Sequence, residues 1–216
     1  MTPTTAPTLE KKRAEPPLGP AGPGWDRGFG QPDRDRDGGG AQPVPPSRIA
    51  VWLVVATVTL LFAAFTSTYL ARRTEPDWQT LQMPGILWLS TLVLALSSLV
   101  LEWARRAGLR LQIQRLRMGL ITATVLGLVF LVGQVAAWRQ LAETGIFLAS
   151  SPHSSFFYLL TGAHGLHLVG GLLALFYAVG KARTAGSVEA VVEPVSTYWH
   201  FLGVLWLYLF VLLFWI

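Results

Sequence analysis

The sequence predicts an all-α, polytopic membrane protein: five transmembrane helices in a bundle, behind a disordered N-terminal tail. Three observations predict it. Just over half of the 216 residues are hydrophobic and only 13% are charged, about half the charge of a soluble domain, where roughly a quarter is usual. Five apolar stretches, at about 49–71, 84–101, 118–138, 154–180 and 197–216, are each long enough to cross a hydrocarbon core of about 30 Å. The basic residues gather at one set of ends of these stretches.

Residues 1–47 have a different composition. They hold ten of the fourteen prolines and eight of the 21 glycines. Their charges nearly cancel, with Lys11, Lys12, Arg13, Arg27, Arg34 and Arg36 set against Glu10, Glu15, Asp26, Asp33, Asp35 and Asp37. Such a segment has too little apolar surface to offset the entropy lost on ordering, so it reads as a disordered cytoplasmic tail. It is not a secretory signal, since no apolar h-region follows the start. Trp25 and Phe29 are the residues on which a docking role for the tail would rest.

The first span begins after Arg48 and runs 23 residues without a charge, with Trp52 and Tyr69 near its ends, where amphipathic aromatics favour the headgroup level. Thr59, Ala63 and Ser67 make a small-residue stripe suited to a partner helix. Arg72 and Arg73 close this span. Pro84 opens the second, because a proline at a helix start loses no hydrogen bond, and Glu102 and Trp103 mark its far end. A basic connector follows, carrying Arg105, Arg106, Arg110, Arg115 and Arg117. The third span holds one strongly polar residue, Gln134; the fourth follows Pro152, and the last begins three residues after Pro194.

Charge orients the spans. With the N-terminus cytoplasmic, the inner segments hold fourteen Lys and Arg and the outer loops three, Arg72, Arg73 and Arg139. Without the six that precede Arg48 the ratio is eight to three, still a positive-inside bias with the N-terminus in and the C-terminus out. The net charge of +5 and pI near 10 therefore reflect helix ends facing the cytoplasm and not a nucleic-acid surface. The absence of cysteine excludes disulfides, iron–sulfur clusters and thiolate metal sites.

No acidic residue lies inside any of the five stretches, which argues against a pump or transporter, since intramembrane carboxylates usually mark ion pathways. The chemistry-bearing candidates are Gln134, Thr57, Thr161 and the histidines. His164 and His167 are three residues apart, about 60° around a helix, so they share a face. His200 enters the last span from the cytoplasmic side and can match His167 in depth. Imidazole suits iron and copper, so a haem-b protein is one reading. The other is that each histidine bonds a backbone carbonyl, a neighbouring subunit or a lipid headgroup, and with no carboxylate nearby this is the reading adopted. Gly162, Gly165, Gly170 and Gly171, followed by Ala174 and Ala178, mark the fourth span as a central packing helix.

The stretch FFYLLTGAHGLHLVGG, with Phe156, Phe157, Thr161, Gly162, His164, Gly165, His167 and Gly170, closely resembles the signature of subunit III of the haem–copper cytochrome c oxidases. The terminal YWHFLGVLW, from Tyr198, Trp199, His200 and Phe201 to Trp206, is similar to that family's last helix. The RIAVW segment at 48–52, the LWLST segment at 87–91, and Ser97 and Ser98 fit as well, so the resemblance covers residues 48–216. It implies the five-helix form of the family. It also implies an accessory subunit without haem or copper, which are carried by partner subunits. Such a subunit packs against subunit I in a complex that also holds the copper-bearing subunit II, supports proton uptake and turnover stability, and binds phospholipid. The resemblance places it in a bacterial inner membrane and gives Gln134, Thr161, Gly162, His164, Gly165, His167, Gly170, Trp199, His200 and Trp206 roles in helix packing or in lipid and subunit contact. Subunit III of quinol oxidases and proteins of nitric-oxide reductase clusters share these motifs. The chain departs from the family at Val58, Ala137 and Gly203, positions where the family commonly carries carboxylates.

Overall fold

The computed structural model describes residues 46–76, 85–147, 152–182 and 188–215. By its internal contacts the chain divides into residues 1–43 and 44–216, and all described residues lie in the second unit. The expectations for the tail, for Trp25 and Phe29, and for Pro84 lie outside the described residues.

Every regular element among the described residues is helical: α1 (Pro46–Arg72), α2 (Ile86–Leu109), α3 (Ile113–Glu143), α4 (Pro152–Lys181), a π turn (Val188–Val192) and α5 (Glu193–Trp215). Five of these helices are long and apolar enough to cross a membrane. Helices α2, α3, α4 and α5 close a ring in which α2 meets α5, and α2 with α3 is the most extensive pair. Helix α1 stands outside the ring, against α5 and α4. Cross-helix pairs fix the register. Arg48 bonds Glu193 and Tyr208 bonds Thr66, so α1 and α5 run parallel. Trp199 bonds Ser97 and Trp206 bonds Thr91, so α5 and α2 run antiparallel.

The helices outlast the apolar stretches that predict them. Arg105 and Arg106 lie on α2 and Arg115 and Arg117 on α3, so the expected basic connector shrinks to residues 110–112. An apolar run ends where the hydrocarbon ends, but the backbone ladder continues into the interface, where long basic side chains reach water. The turn at Leu111 closes α2: its φ of 60° is left-handed, and Gln112 N–H bonds Ala107 O at 3.0 Å while Leu111 N–H bonds Gly108 O at 2.9 Å, capping the last carbonyls. The last helix also begins earlier than expected. Pro194 sits inside its first turn, directly after the π turn, whose wider winding relieves the crowding of a proline ring against the carbonyl four residues back.

Close approach in the ring is set by α3. A Cβ built on Gly119 would lie 2.5 Å from Ala104 Cβ, and one on Gly127 would lie 2.5 Å from Trp199 Cη2 and 2.9 Å from Leu172 Cδ2. With Ala123, fully buried between them, these form a small residue every four positions, the spacing that lets helix backbones meet in lipid. The glycines of α4 behave differently. Gly171 packs on Leu202 and Trp199, and Gly162 makes ordinary contact with the Trp138 ring, but Gly165 and Gly170 meet no atom of this chain within 4 Å of a Cβ position. Thr59, Ala63 and Ser67 on α1 are likewise exposed. Gly127→Val is expected to destabilise the bundle by about 1–3 kcal/mol, because overpacking forces side chains off their rotamers. Thermal unfolding in mild detergent, with Gly170→Val as the tolerated control, measures this.

Candidate functional site: a polar seam inside the bundle

Lipid offers no hydrogen bonds, so every polar side chain in the interior must find a partner in the protein or carry a desolvation cost. The hydroxyls divide into two groups. Those of Thr57 and Thr124 bond the carbonyl four residues back, at 2.9 and 2.8 Å, as local back-bonding predicts; Thr66 does the same at 2.8 Å but also accepts from the Tyr208 hydroxyl of α5 at 3.0 Å. A second set joins helix to helix. Ser97, fully buried on α2, donates to Ala123 O on α3 at 3.0 Å and accepts from the Trp199 indole of α5 at 3.1 Å. Thr91 donates to Leu87 O at 2.7 Å and accepts from Trp206 Nε1 at 2.9 Å. Gln134 donates to Ser90 Oγ at 3.2 Å. Thr161 donates to Phe157 O at 2.6 Å and accepts from Trp138 Nε1 at 3.2 Å.

The seam thus brings together Gln134, Thr161, Trp199 and Trp206 with Ser90, Thr91, Ser97 and Trp138. The sequence reading passed over the hydroxyl partners as functional groups, though Ser90 and Ser97 fall seven residues apart on the face of α2 that also carries Leu87, Leu94 and Leu101. That spacing places a serine once every two turns on the buried stripe.

The histidines separate. His164 is fully buried at the ring's centre, 5.2 Å from the Trp206 ring centroid and 6.2 Å from that of Phe130. Neither of its nitrogens has a hydrogen-bond partner among the described residues, nor has Gln134 Oε1. His167 lies half-buried toward α1: its Nδ1 is 2.7 Å from Ala163 O and its ring meets Phe62 edge-on at 5.9 Å. The shared face expected from their spacing is therefore split, because 60° suffices to turn one ring into the ring of helices and the other toward α1. His200 does not meet His167. It faces α2, with Nε2 4.0 Å from Glu102 Oε2, and the α5 residue that reaches His167 is Tyr198, whose hydroxyl donates to His167 O at 3.4 Å.

Charge sits at the arginine-rich ends. Glu102 accepts from Arg105 through Nε and Nη2 at 2.8 and 2.9 Å and from Arg106 Nε at 2.7 Å. No group of three His, Cys, Asp or Glu among the described residues could hold a metal ion. Val58 and Ala137 are buried core residues, and Gly203 faces Ser98, whose Oγ would lie 3.2 Å from a Cβ. The arrangement can hold helices in register; its neutral hydrogen bonds supply neither a nucleophile nor a charged acid–base pair in the seam.

The family model for cytochrome c oxidase subunit III matches residues 48–216. Similar curated proteins include the probable cytochrome c oxidase subunit 3 of Mycobacterium tuberculosis H37Rv, 33% identical over 176 residues, covering 77% of this chain and 85% of that protein. The one from Nocardia farcinica is 31% identical over 170 residues, covering 74% and 82%. Cytochrome c oxidase subunit 3 of Synechocystis is 30% identical over 175 residues, covering 76% and 72%. Five apolar helices ordered as α1 to α5, the motifs on α4 and α5, and the match over the whole helical region agree: the chain belongs to the cytochrome c oxidase subunit III family.

Proposed function

We propose that this chain is the accessory subunit of a bacterial respiratory cytochrome c oxidase, lying in the inner membrane with its N-terminus cytoplasmic and its C-terminus outside. It docks on the catalytic subunit I, in a complex with the copper-bearing subunit II, supports proton uptake and turnover stability, and binds phospholipid. Haem and copper reside on the partners. Family membership makes the chain part of an oxidase complex. The observation that carries the accessory reading is the use made of its interior polar groups: Ser97, Thr91, Ser90, Thr161 and three tryptophan indoles are committed to tying α2, α3, α4 and α5 together. The chain is thereby a rigid support. The names of its relatives favour cytochrome c over quinol as the complex's electron donor.

Affinity purification of the tagged chain from its native membrane tests the assignment. A haem–copper subunit I is expected in stoichiometric yield, and isolation of this chain alone and fully stable refutes it. His164 separates support from ligation. His164→Ala should leave the haem content of the complex unchanged and lower its thermal stability by about 1–3 kcal/mol through the cavity beside Trp206. His164→Leu, which fills that space and removes a polar group with no partner, should cost less or stabilise. Loss of haem in either variant, read from the visible spectrum, would assign the ring to ligation. A phosphatase fused after Ile216 should be active, and inactivity would reverse the orientation, since the enzyme works only outside the cytoplasm.

A further inference from the structure

The cross-helix pairs fix the depth at which each buried polar group stands. Trp138 bonds Thr161 and Gly127 faces Leu172, so α3 and α4 pass each other residue for residue. Gln134 therefore falls level with Gly165, about 1.5 Å in depth from His164. Gln134 bonds Ser90, and the adjacent Thr91 bonds Trp206. One layer thus takes a polar side chain from every helix of the ring: Ser90 and Thr91 from α2, Gln134 from α3, His164 from α4 and Trp206 from α5. It lies near the midpoint of α4 (Pro152–Lys181), about 20 Å of helix from either end.

Within this layer the atoms without a partner match one another. The Ser90 hydroxyl accepts from Gln134 and donates to Leu87 O at 3.0 Å. The Thr91 hydroxyl accepts from Trp206 and donates to the same carbonyl at 2.7 Å. Both hydroxyl protons and the indole N–H are therefore engaged. Three buried atoms have no partner among the described residues: Gln134 Oε1, which is an acceptor, and the two nitrogens of His164, one a donor and the other an acceptor in a neutral imidazole. Gln134 is 5% exposed and His164 0%, so neither reaches a headgroup or bulk water. Nor are they bonded to each other, and a third group must link them. Buried polar atoms of native proteins are almost always paired, by ordered water where the chain supplies no partner. The aromatic rings around His164 also stand off from it. Trp206 is tilted by 34° at 5.2 Å between centroids and Phe130 is edge-on at 6.2 Å, whereas the stacked Phe210 and Phe214 rings close to 4.3 Å.

We infer that this layer is a binding site for one water molecule, which accepts the N–H of His164 and donates to Gln134 Oε1. Water fits on chemistry. The imidazole offers a donor and the amide an acceptor, and one water supplies the complement of both. A cation would meet no carboxylate in the layer and an anion no basic side chain, and either would stand uncompensated in mid-membrane. The imidazole carries its proton on the nitrogen that faces the water, since either tautomer is open to a ring with no other hydrogen bond. The bridge joins α4 to α3 one turn inward from the Trp138–Thr161 bond, and through Gln134 and Ser90 it reaches α2. His164 is then a ligand-binding residue whose partner is not a side chain.

The test uses the intact complex, isolated through a tag on this chain and imaged at a resolution that shows ordered water. Density is expected about 2.7–3.2 Å from Gln134 Oε1 and from one nitrogen of His164. A direct hydrogen bond between His164 and Gln134, or no density there in a map that shows other buried waters, overturns the inference. Stability provides an independent measurement. His164→Leu and Gln134→Met each remove one end of the bridge and leave the other end unpaired, whereas the double variant removes both ends at once. The double variant should therefore be more stable than the sum of the two single effects, by about fivefold in the unfolding equilibrium constant. Additive effects, measured by unfolding the same preparations in mild detergent, would show that the two residues share no water and would overturn the site.

Discussion

The structure depends on the seating of Trp199. Its indole, 1% exposed, lies in a slot that exists only because Gly127 on α3 and Gly171 on α4 carry no side chain. Its N–H donates to Ser97 on α2, which in turn donates to Ala123 O on α3. One residue of α5 therefore bears on all three other helices of the ring. In lipid the hydrophobic effect does not drive helix to helix, so packing and hydrogen bonds must do so. The Trp199 slot supplies both at one point, and a shift of either glycine helix would break the contact and leave Ser97 without its donor.

The remaining indole–hydroxyl pairs repeat this arrangement at other depths. Trp206 bonds Thr91 one level toward the C-terminal end of α5, and Trp138 bonds Thr161 between α3 and α4. Each of these hydroxyls both accepts from an indole and donates to a backbone carbonyl one turn away, so the hydroxyl proton and a lone pair are both used. That economy matters where no bulk water is at hand. Gln134 Oε1 and Ser196 Oγ depart from it at one atom each, and His164 departs furthest: an imidazole enclosed by Phe130 and Trp206 with neither nitrogen bonded within the chain, a polar group held in place by ring packing.

Helix α1 plays a separate part. Only its Val58, Phe62, Thr66 and Tyr69 stripe is buried, and it is fastened to α5 at both ends, by the Arg48–Glu193 ion pair and the Tyr208–Thr66 hydrogen bond. The first of these is half-exposed and worth little by itself; with the second it sets the parallel register of two helices that are not neighbours in sequence. Val58 in this stripe occupies a family carboxylate position, and its burial on α1 means that a carboxylate there would face the α4–α5 side of the helix.

Composition and charge sufficed for the number of spans, their approximate ends and the helical class, because the bilayer imposes one length and one solvent on every crossing. The family was legible too, in FFYLLTGAHGLHLVGG and YWHFLGVLW. What the linear pattern could not reveal was direction around each helix. Gly162, Gly165, Gly170 and Gly171 look alike in sequence, yet Gly171 seats Trp199 while Gly165 and Gly170 meet nothing in the chain; in an apolar helix no polar face marks which side turns inward. The same holds for His164 and His167, sent to different sides by 60°, and for His200, whose partner Glu102 is 98 residues away. Sequence alone determined that five helices cross the membrane and which family they belong to. Only the tertiary structure decided which hydroxyl each tryptophan bonds, because those pairs lie across helices whose rotation is set by packing and not by hydropathy.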